Sequence, residues 1–267
     1  MKLYAVFGNP IEHSLSPRMH NLAFEFFKIN GAYIKDRLID GSKLLERFDE
    51  LKLSGANVTV PHKESAFKAC DEVRGIAKKV GAVNTIVKEK DKIIGYNSDA
   101  LGFLNSLKDF ITPKKTLILG AGGTAKAIAH ALNESNFKTT ILNRSKNRLD
   151  YFLNLGFECF SHEDFLMDEY DLIVNTTPAG LNDDFLPLDE SVLVKILSKA
   201  SAVYDVIYGK NTPFIKKAKE FNLLTKDGED MLAYQGAIAF NLFNSNSLNE
   251  DKIVNVMKEA LKLPSFH

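Results

Sequence analysis

This sequence has few cysteines and no net charge. The chain of 267 residues contains two cysteines, Cys70 and Cys159, which lie far apart and outside any Cys-x-x-Cys pattern. This argues against a disulfide framework and favours a reducing compartment, which we take to be the cytoplasm. Lysine plus arginine and aspartate plus glutamate both number 34, so the formal net charge is zero. Because a dedicated nucleic-acid binder usually has a basic excess, no nucleic-acid partner is expected.

The sequence also lacks long apolar runs and metal-ligand spacings. The apolar stretch within residues 1–14 is too short for a signal peptide or a membrane span, and it is typical of a buried strand. The six histidines show no His-x-x-x-His or comparable spacing. We therefore expect no metal site and no membrane partner.

Short apolar, β-branched runs alternate with helical patterns along the chain, which predicts a mostly parallel α/β fold. A helix start is expected at Ser16-Pro17, with the serine as N-cap and proline at the first helical position. The predicted strands are Lys2–Phe7, Ala32–Leu38, Asn57–Val60, Val83–Lys88, Thr116–Leu119, Thr139–Leu142, Leu172–Asn175 and Ala202–Val206. The predicted helices are Pro17–Lys28, Ser42–Leu51, Leu101–Phe110, Thr124–Glu134, Arg148–Leu155, Val192–Ser198, Phe214–Glu220, Glu229–Phe243 and Glu250–Leu261.

A glycine-rich turn lies between a predicted strand and a predicted helix. The run Gly120-Ala121-Gly122-Gly123-Thr124-Ala125 matches the pattern G-x-G-x-x-G/A. In that pattern the first glycine permits a tight turn, the second admits a pyrophosphate, and a small last residue lets the helix pack closely. The helix N-terminus adds free N–H groups for the phosphates. The motif in this context predicts a Rossmann-type dinucleotide site, the alternative being a plain structural turn.

The end of the next strand indicates which dinucleotide binds. An NAD site usually has Asp or Glu there, to accept hydrogen bonds from the ribose hydroxyls. This chain has Asn143 and Arg144, with Lys146 and Arg148 close behind. A guanidinium can bind a 2′-phosphate through two hydrogen bonds, whereas a carboxylate would repel it. We therefore expect NADP(H) as the cofactor, the alternative being a solvated, basic helix start.

The alternation of strands and helices pauses at one point, which suggests a domain boundary. Residues 89–92, Glu-Lys-Asp-Lys, are typical of a hairpin tip, and the pattern restarts with the helix before the glycine turn. We place the boundary near residue 100, giving an N-terminal domain of residues 1–100 and a Rossmann-type domain of residues 101–235. The C-terminal helices, about residues 236–267, are expected to pack back on the first domain.

Three polar clusters follow strands of the first domain. Ser14 and Ser16 stand at a helix N-terminus, which suits a carboxylate. In the second cluster Thr59 precedes Lys63, and in the third Asp99 follows a predicted hairpin. The structural alternatives are N-capping by Ser16 and Asp99 and a solvated lysine. Together the clusters suit a polyhydroxylated, anionic small molecule, with a lysine that can move a proton.

The order of these motifs resembles that of the shikimate dehydrogenase family over nearly the whole chain. The resemblance implies NADP-dependent interconversion of 3-dehydroshikimate and shikimate, in the biosynthesis of chorismate and the aromatic amino acids. The motifs are Gly8-Asn-Pro10, Ser14-x-Ser16-Pro17, Asn57-Val-Thr-Val-Pro61-x-Lys63, Gly81-Ala-Val-Asn-Thr85, Asn97-x-Asp99-x-x-Gly102, Gly120-Ala-Gly-Gly123, Asn143-Arg144, Asn175-Thr-Thr-Pro178 and Gln235.

The resemblance also assigns roles to individual residues. Lys63 is the expected proton donor and acceptor at the C3 oxygen of the substrate, and Asp99 holds Lys63 and a ring hydroxyl. The implied substrate-binding set is Ser14, Ser16, Thr59, Lys63, Asn84, Asp99, Tyr208 and Gln235. The expected cofactor-binding set is Gly120, Ala121, Gly122, Gly123, Thr124, Asn143, Arg144, Arg148, Val206 and Gly228.

Two alternatives stay open from the sequence. One is a quinate/shikimate dehydrogenase of the same fold with broader substrate and cofactor use, against which Arg144 argues. The other is a non-catalytic NADP-binding sensor, against which the presence of both Lys63 and Asp99 argues. The sequence does not distinguish a monomer from a homodimer.

Overall fold

The computed structural model of the protein describes residues 1–264 and divides the chain into two compact units. Unit 1 comprises residues 1–102 and the C-terminal segment that begins at Ala233, and unit 2 comprises residues 103–232. Each unit contains one six-stranded sheet with helices packed on it, which confirms the predicted α/β class. The chain passes from one unit to the other within a helix in both places.

The sheet of unit 1 is mixed, with strand order β2-β1-β3-β5-β6-β4. The pairs β1–β2, β1–β3 and β4–β6 are parallel, while β5 runs antiparallel to both β3 and β6. As a result the ends of β1, β3 and β6 and the start of β5 lie at one edge of the sheet. The strands are β1 (Lys2–Gly8), β2 (Gly31–Arg37), β3 (Gly55–Val58), β4 (Glu72–Val73), β5 (Thr85–Glu89) and β6 (Lys92–Tyr96).

Among the described residues, five complete helices and parts of two others belong to unit 1, together with a short 3-10 turn at Gly41–Lys43. The predicted N-cap at Ser16 is wrong: the first helix begins at Ser16, and its N-cap residue, Leu15, makes no side-chain cap hydrogen bond. The Ser16 hydroxyl is therefore not used to cap the helix. The helices are α1 (Ser16–Phe26), α2 (Leu44–Glu50), α3 (Lys63–Ala69), α4 (Ala77–Val80), the start of α5 (Asp99–Leu107), most of α10 (Glu229–Phe243) and α11 (Glu250–Lys262).

An aromatic cluster packs α1 and α10 against the sheet, and it encloses a histidine. His20 is 1% exposed and stacks on Tyr33 with ring centroids 4.2 Å apart. Phe240 and Phe243 lie 5.8 Å from the same ring, and its Nδ1 atom has no hydrogen-bond partner. Burial lowers the pKa of His20 from its usual 6.5 to about 3, because nothing in this apolar site stabilises the charged form.

This buried histidine predicts an acid-sensitive unit 1. Below pH 6.5 the unfolded chain protonates His20 while the folded chain does not, so stability falls as the pH falls towards 3. Between pH 7 and pH 5 the loss is about 2 kcal/mol, at 1.36 kcal/mol per pH unit. Hydrogen exchange of the α1 amides at the two pH values measures it. His20→Leu should abolish most of the pH-dependent loss, whereas His13→Gln, which alters an exposed histidine, should retain it. Equal pH dependence in wild type and His20→Leu would contradict the prediction.

The sheet of unit 2 is parallel throughout, with strand order β12-β11-β10-β7-β8-β9. Counted within the unit, this is the order 3-2-1-4-5-6 of dinucleotide-binding folds, and the order reverses between β7 and β10. The predicted Rossmann-type fold is confirmed. The strands are β7 (Lys115–Leu119), β8 (Lys138–Asn143), β9 (Glu158–Ser161), β10 (Leu172–Asn175), β11 (Ala202–Asp205) and β12 (Leu224–Lys226).

Helices cover both faces of this sheet, as its apolar strands require. Along β7 the side chain of Ile118 packs into the core on one face, while Leu117 and Leu119 pack into the core on the other. The helices are the end of α5, α6 (Gly123–Glu134), α7 (Asp150–Leu153), α8 (Glu190–Leu197), α9 (Pro213–Glu220) and the start of α10, with a 3-10 turn at Lys146–Arg148.

Both cysteines are half-buried and free. Burial raises the pKa of the Cys70 thiol to about 12 and that of the Cys159 thiol to about 11, so both stay protonated at neutral pH. Within residues 1–264, no helix is long and apolar enough to cross a membrane. The same residues include no group of three His, Cys, Asp or Glu side chains placed to hold a metal ion.

Candidate active site

A buried ion pair lies at the edge of the unit 1 sheet where β1, β3 and β6 end. The Lys63 ammonium donates to Asp99 Oδ2 over 2.6 Å, and the two side chains are 11% and 9% exposed. Lys63 is the first residue of α3, which follows β3, and Asp99 is the first residue of α5, which follows β6. The parallel direction of β3 and β6 thus brings together two residues that are 36 positions apart.

An amide holds the other oxygen of the carboxylate. Asn84 Nδ2 donates to Asp99 Oδ1 over 2.8 Å, and Asn84 Oδ1 accepts from the backbone N–H of Ser98 over 2.8 Å. Because both carboxylate oxygens are engaged, Asp99 is fixed in orientation. Asp99 is the first residue of α5, and its backbone N–H donates to Asn97 Oδ1 over 3.1 Å.

Ser98 is a part of this network to which the sequence assigned no role, although it lies in the third polar cluster, Asn97-Ser98-Asp99. Its hydroxyl is buried and lies within hydrogen-bond distance of Asn84 Oδ1, at 3.2 Å, and of Gln235 Oε1, at 3.4 Å. Gln235 comes from α10, and a side chain at Gly102 would lie 2.8 Å from its Cβ atom. The absence of a side chain at Gly102 therefore lets α10 bring Gln235 to the network.

A second row of polar groups supports the site from within the sheet. Asn57 Nδ2 donates to the carbonyl of Asn84 and to Thr85 Oγ1, both over 3.1 Å. Asn57 Oδ1 accepts from the Tyr33 hydroxyl over 2.7 Å. Both the amide nitrogen and the amide oxygen of Asn57 thus have protein partners, and through them Asn57 helps to position Asn84.

The remaining predicted substrate residues of unit 1 lie on the loops at the same sheet edge. Ser14 and Ser16 follow β1, and both are 6% exposed. The Ser14 hydroxyl accepts from the Ser16 backbone N–H over 3.3 Å, which orders the turn. Thr59 directly follows β3 and is half-buried, so it lies just beyond the strand in which it was predicted. Tyr208 belongs to unit 2.

The glycine turn of unit 2 has the geometry that a diphosphate requires. Gly120 has φ of +105°, and a Cβ atom there would lie 2.7 Å from Thr176 Oγ1, so only glycine fits this position. A Cβ atom at Gly122 would meet nothing within 4 Å, so the space beside this glycine is open. Gly122 is also the N-cap of α6, where no side chain accepts a bond from the first N–H groups. Ala125 is fully buried, as close helix–sheet packing predicts.

The end of β8 presents basic side chains to solvent beside this turn. Asn143 Nδ2 donates to the carbonyl of Ser145 over 2.8 Å, which shapes the loop. Arg144 and Arg148 are exposed, and no acidic side chain within residues 1–264 forms an ion pair with either of them. Two unpaired guanidinium groups at this point fit a 2′-phosphate.

A buried carboxylate shapes the loop that follows β11. Asp205 accepts from Asn175 Nδ2 over 3.1 Å, from Thr212 Oγ1 over 2.6 Å and from the Ile207 backbone N–H over 3.1 Å. Burial raises the pKa of Asp205 to about 6, despite these hydrogen bonds. Asp205 therefore ties the loop carrying residues 206–211 to the end of β10.

The chain passes very close to itself at Gly228. A Cβ atom there would lie 2.2 Å from the carbonyl oxygen of Val206, and the Gly228 N–H donates to the carbonyl of Ile207 over 3.1 Å. Glycine is thus required to hold the start of α10 against the loop after β11. This contact places two predicted cofactor residues, Val206 and Gly228, side by side.

A parallel sheet in the dinucleotide-binding order, with a glycine turn at its switch point and unpaired arginines after the neighbouring strand β8, defines a nicotinamide-dinucleotide-dependent oxidoreductase. The chain is 45% identical over 265 residues to the shikimate dehydrogenase (NADP(+)) of Helicobacter hepaticus, covering 97% of this chain and 98% of that protein. The chain therefore belongs to the shikimate dehydrogenase family.

Further comparisons agree with this assignment. Residues 6–86 match the shikimate dehydrogenase substrate binding domain. The structure of shikimate 5-dehydrogenase from Thermus thermophilus in complex with NADP(H) and shikimate has a TM-score of 0.85 at 32% identity, covering 97% of this chain and 100% of that one. The Listeria monocytogenes enzyme in complex with shikimate and NAD has a TM-score of 0.79 at 28% identity, covering 96% of each chain.

Proposed function

We propose that this protein catalyses the reversible, NADP-dependent reduction of 3-dehydroshikimate to shikimate. The observation that carries the proposal is the buried Lys63–Asp99 pair, which is held by Asn84 at the sheet edge of the unit that matches the family's substrate binding domain. An acid–base pair of this kind, with its carboxylate fixed on both oxygens, is what ketone reduction requires of the protein.

In this proposal each residue of the network has a defined task. Reduction of a ketone requires a hydride at carbon and a proton at oxygen. Bound NADPH supplies the hydride. Lys63 Nζ donates a proton to the C3 oxygen and then takes up another from solvent, and in the reverse direction it accepts the proton from the hydroxyl. Asp99 holds the Lys63 ammonium in place through their 2.6 Å ion pair, so that it points at the C3 oxygen.

The other predicted residues bind and orient the substrate. Ser14 and Ser16 are proposed to donate hydroxyl hydrogen bonds to the substrate carboxylate, with Tyr208 as a further donor. Thr59, Asn84 and Gln235 are proposed to bind the ring hydroxyls, together with Asp99. On this assignment unit 1 is the substrate-binding unit. These roles are supported by burial and by convergence on one sheet edge for the residues of unit 1.

The dinucleotide is assigned to unit 2. The diphosphate would lie at the Gly120–Gly123 turn and at the first N–H groups of α6, near Ala121 and Thr124. The adenosine ribose and its 2′-phosphate would be held by Asn143, Arg144 and Arg148. The nicotinamide end of the cofactor would lie beside Val206 and Gly228. The end of β8 favours NADP(H) over NAD(H), because Asn143 and Arg144 stand where an NAD site has an acid that accepts hydrogen bonds from the ribose hydroxyls.

The purified protein tests the proposal directly. We expect NADPH absorbance to fall in the presence of 3-dehydroshikimate, and NADP+ to be reduced with shikimate but not with quinate. Turnover with both acids would indicate the broader quinate/shikimate activity. Binding of NADP+ without turnover of either acid would indicate the non-catalytic alternative and would overturn the proposal.

A further inference from the structure

The loop after β9 lies beside the loop that carries Arg144. In the parallel pair β8–β9, Asn143 is the register partner of Ser161. The residues that follow these partners, Arg144 and His162, therefore leave the same edge of the sheet on adjacent strands. Both side chains are exposed. His162 and Arg144 thus occupy adjacent backbone positions, and the charge of Arg144, which the proposed function assigns to the 2′-phosphate, acts on the His162 imidazole.

Hydrogen bonds and an ion pair hold the two loops together. Asp164 accepts from the Ser161 backbone N–H over 2.6 Å and from the Ser161 hydroxyl over 2.7 Å, which closes a turn around His162. The same carboxylate pairs with Lys146 over 3.0 Å, which links the turn to the loop after β8. His162 is thus carried by a turn that is fixed to the basic loop.

We propose that His162 is a second, titratable ligand for the 2′-phosphate of NADP(H), acting beside Arg144. This inference rests on the proposed function of unit 2. It adds to that function a residue that distinguishes NADP(H) from NAD(H) in a pH-dependent way, and neither the glycine motif nor the Asn143-Arg144 pair assigns such a residue.

The charges around the imidazole determine whether His162 gains or loses a proton when the cofactor binds. Partial burial and the positive charge of Arg144 lower the pKa of His162, so without cofactor the ring is mostly neutral near pH 7. The other charged side chains of the two loops are Lys146, Arg148, Glu163 and Asp164, of which Lys146 and Asp164 neutralise each other. A phosphate dianion placed between Arg144 and His162 opposes the effect of the arginine on the histidine pKa and favours the imidazolium form. Binding of NADP+ should then take up a proton at His162.

Proton uptake distinguishes this role from a merely structural one. Titration calorimetry of NADP+ into the full-length protein at pH 6.8, in buffers of different ionisation enthalpy, counts the protons taken up on binding. We expect wild type to take up measurably more protons than His162→Gln, because a neighbouring phosphate dianion raises the pKa of the imidazole. The comparison is needed because the 2′-phosphate, with a pKa near 6, also changes its ionisation on binding.

The binding constants provide a second readout. His162→Gln should weaken NADP+ binding by about three- to five-fold, the range of an exposed ion pair, and should leave NAD+ binding unchanged. His162→Lys, which carries a permanent charge, should restore the affinity for NADP+. Its proton uptake on binding should nevertheless be as low as that of His162→Gln.

Four results would overturn the inference. Equal proton counts for wild type and His162→Gln would show that the imidazole does not respond to the phosphate. Equal loss of NAD+ and NADP+ affinity would assign His162 to the shape of the loop. If NADP+ does not bind to wild type at all, both the inference and the proposed function fail. If NADP+ binds tightly, and Arg144→Ala weakens this binding while His162→Gln does not, the inference alone fails.

Discussion

Replacing Lys63 with alanine is expected to lower kcat by about 100-fold or more, with a modest change in the KM for shikimate. Positioned acids and bases contribute about 10²- to 10⁴-fold to catalysis, and Lys63 is the buried cation at the proposed reaction centre. The measurement is steady-state NADP+ reduction at saturating shikimate. The split between kcat and KM matters because loss of a group that only binds substrate raises KM and leaves kcat nearly unchanged.

The same helix offers a matched control for this experiment. Lys68 lies in α3 with Lys63 but is exposed, so Lys68→Ala should keep wild-type kinetics. Because alanine also removes the packing of the lysine stem, Lys63→Met, which keeps an apolar stem and removes only the charge, should be assayed beside it. Melting temperatures of all variants show whether they fold. A near-normal kcat in a folded Lys63 variant would show that the lysine binds but does not transfer the proton.

Replacing Arg144 with alanine is expected to raise the KM for NADPH by about 10- to 100-fold and to change the KM for NADH little. A hydrogen bond to a charged group contributes about 1.5–3 kcal/mol, which corresponds to this range. Arg144 is exposed and lacks an ion-pair partner within residues 1–264, so its removal leaves no buried charge in the free protein. The effect should therefore fall on the 2′-phosphate alone.

The control for Arg144 lies at the other end of the same strand. Lys138 begins β8 and is exposed at the opposite edge of the sheet, so Lys138→Ala should leave both KM values unchanged. An equal rise in KM for NADPH and NADH on removal of Arg144 would contradict the assignment of that side chain to the 2′-phosphate. The broader cofactor use of the quinate/shikimate alternative would then regain support.

The sequence predicts the long elements of this fold well and the short ones poorly. Leu172–Asn175 was predicted with its observed bounds, because a buried parallel strand appears as a continuous apolar run. The strands Glu72–Val73, Glu158–Ser161 and Leu224–Lys226 were not predicted, and neither were the helices Lys63–Ala69 and Ala77–Val80. These elements have two to seven residues, too few to show a period, and the edge strands exist through pairing with neighbours distant in the chain.

The limits on predicting the site have the same physical origin. Lys63, Asn84 and Asp99 stand in motifs, so a sequence can indicate them. Ser98, in contrast, matters through its contact with Gln235, which lies 137 positions away along the chain. His162 is part of no motif, and only the β8–β9 register shows that it lies next to Arg144.

Because its two thiols react poorly, this protein is suited to labelling at introduced cysteines. Because Cys70 and Cys159 hold their protons well above neutral pH, neither competes well for a thiolate-selective maleimide at pH 7. A cysteine introduced at exposed Lys68 in unit 1 and another at exposed Lys138 in unit 2 would be the fast-reacting pair. Fluorescent or spin labels on that pair would measure the separation of the units with and without dinucleotide and acid.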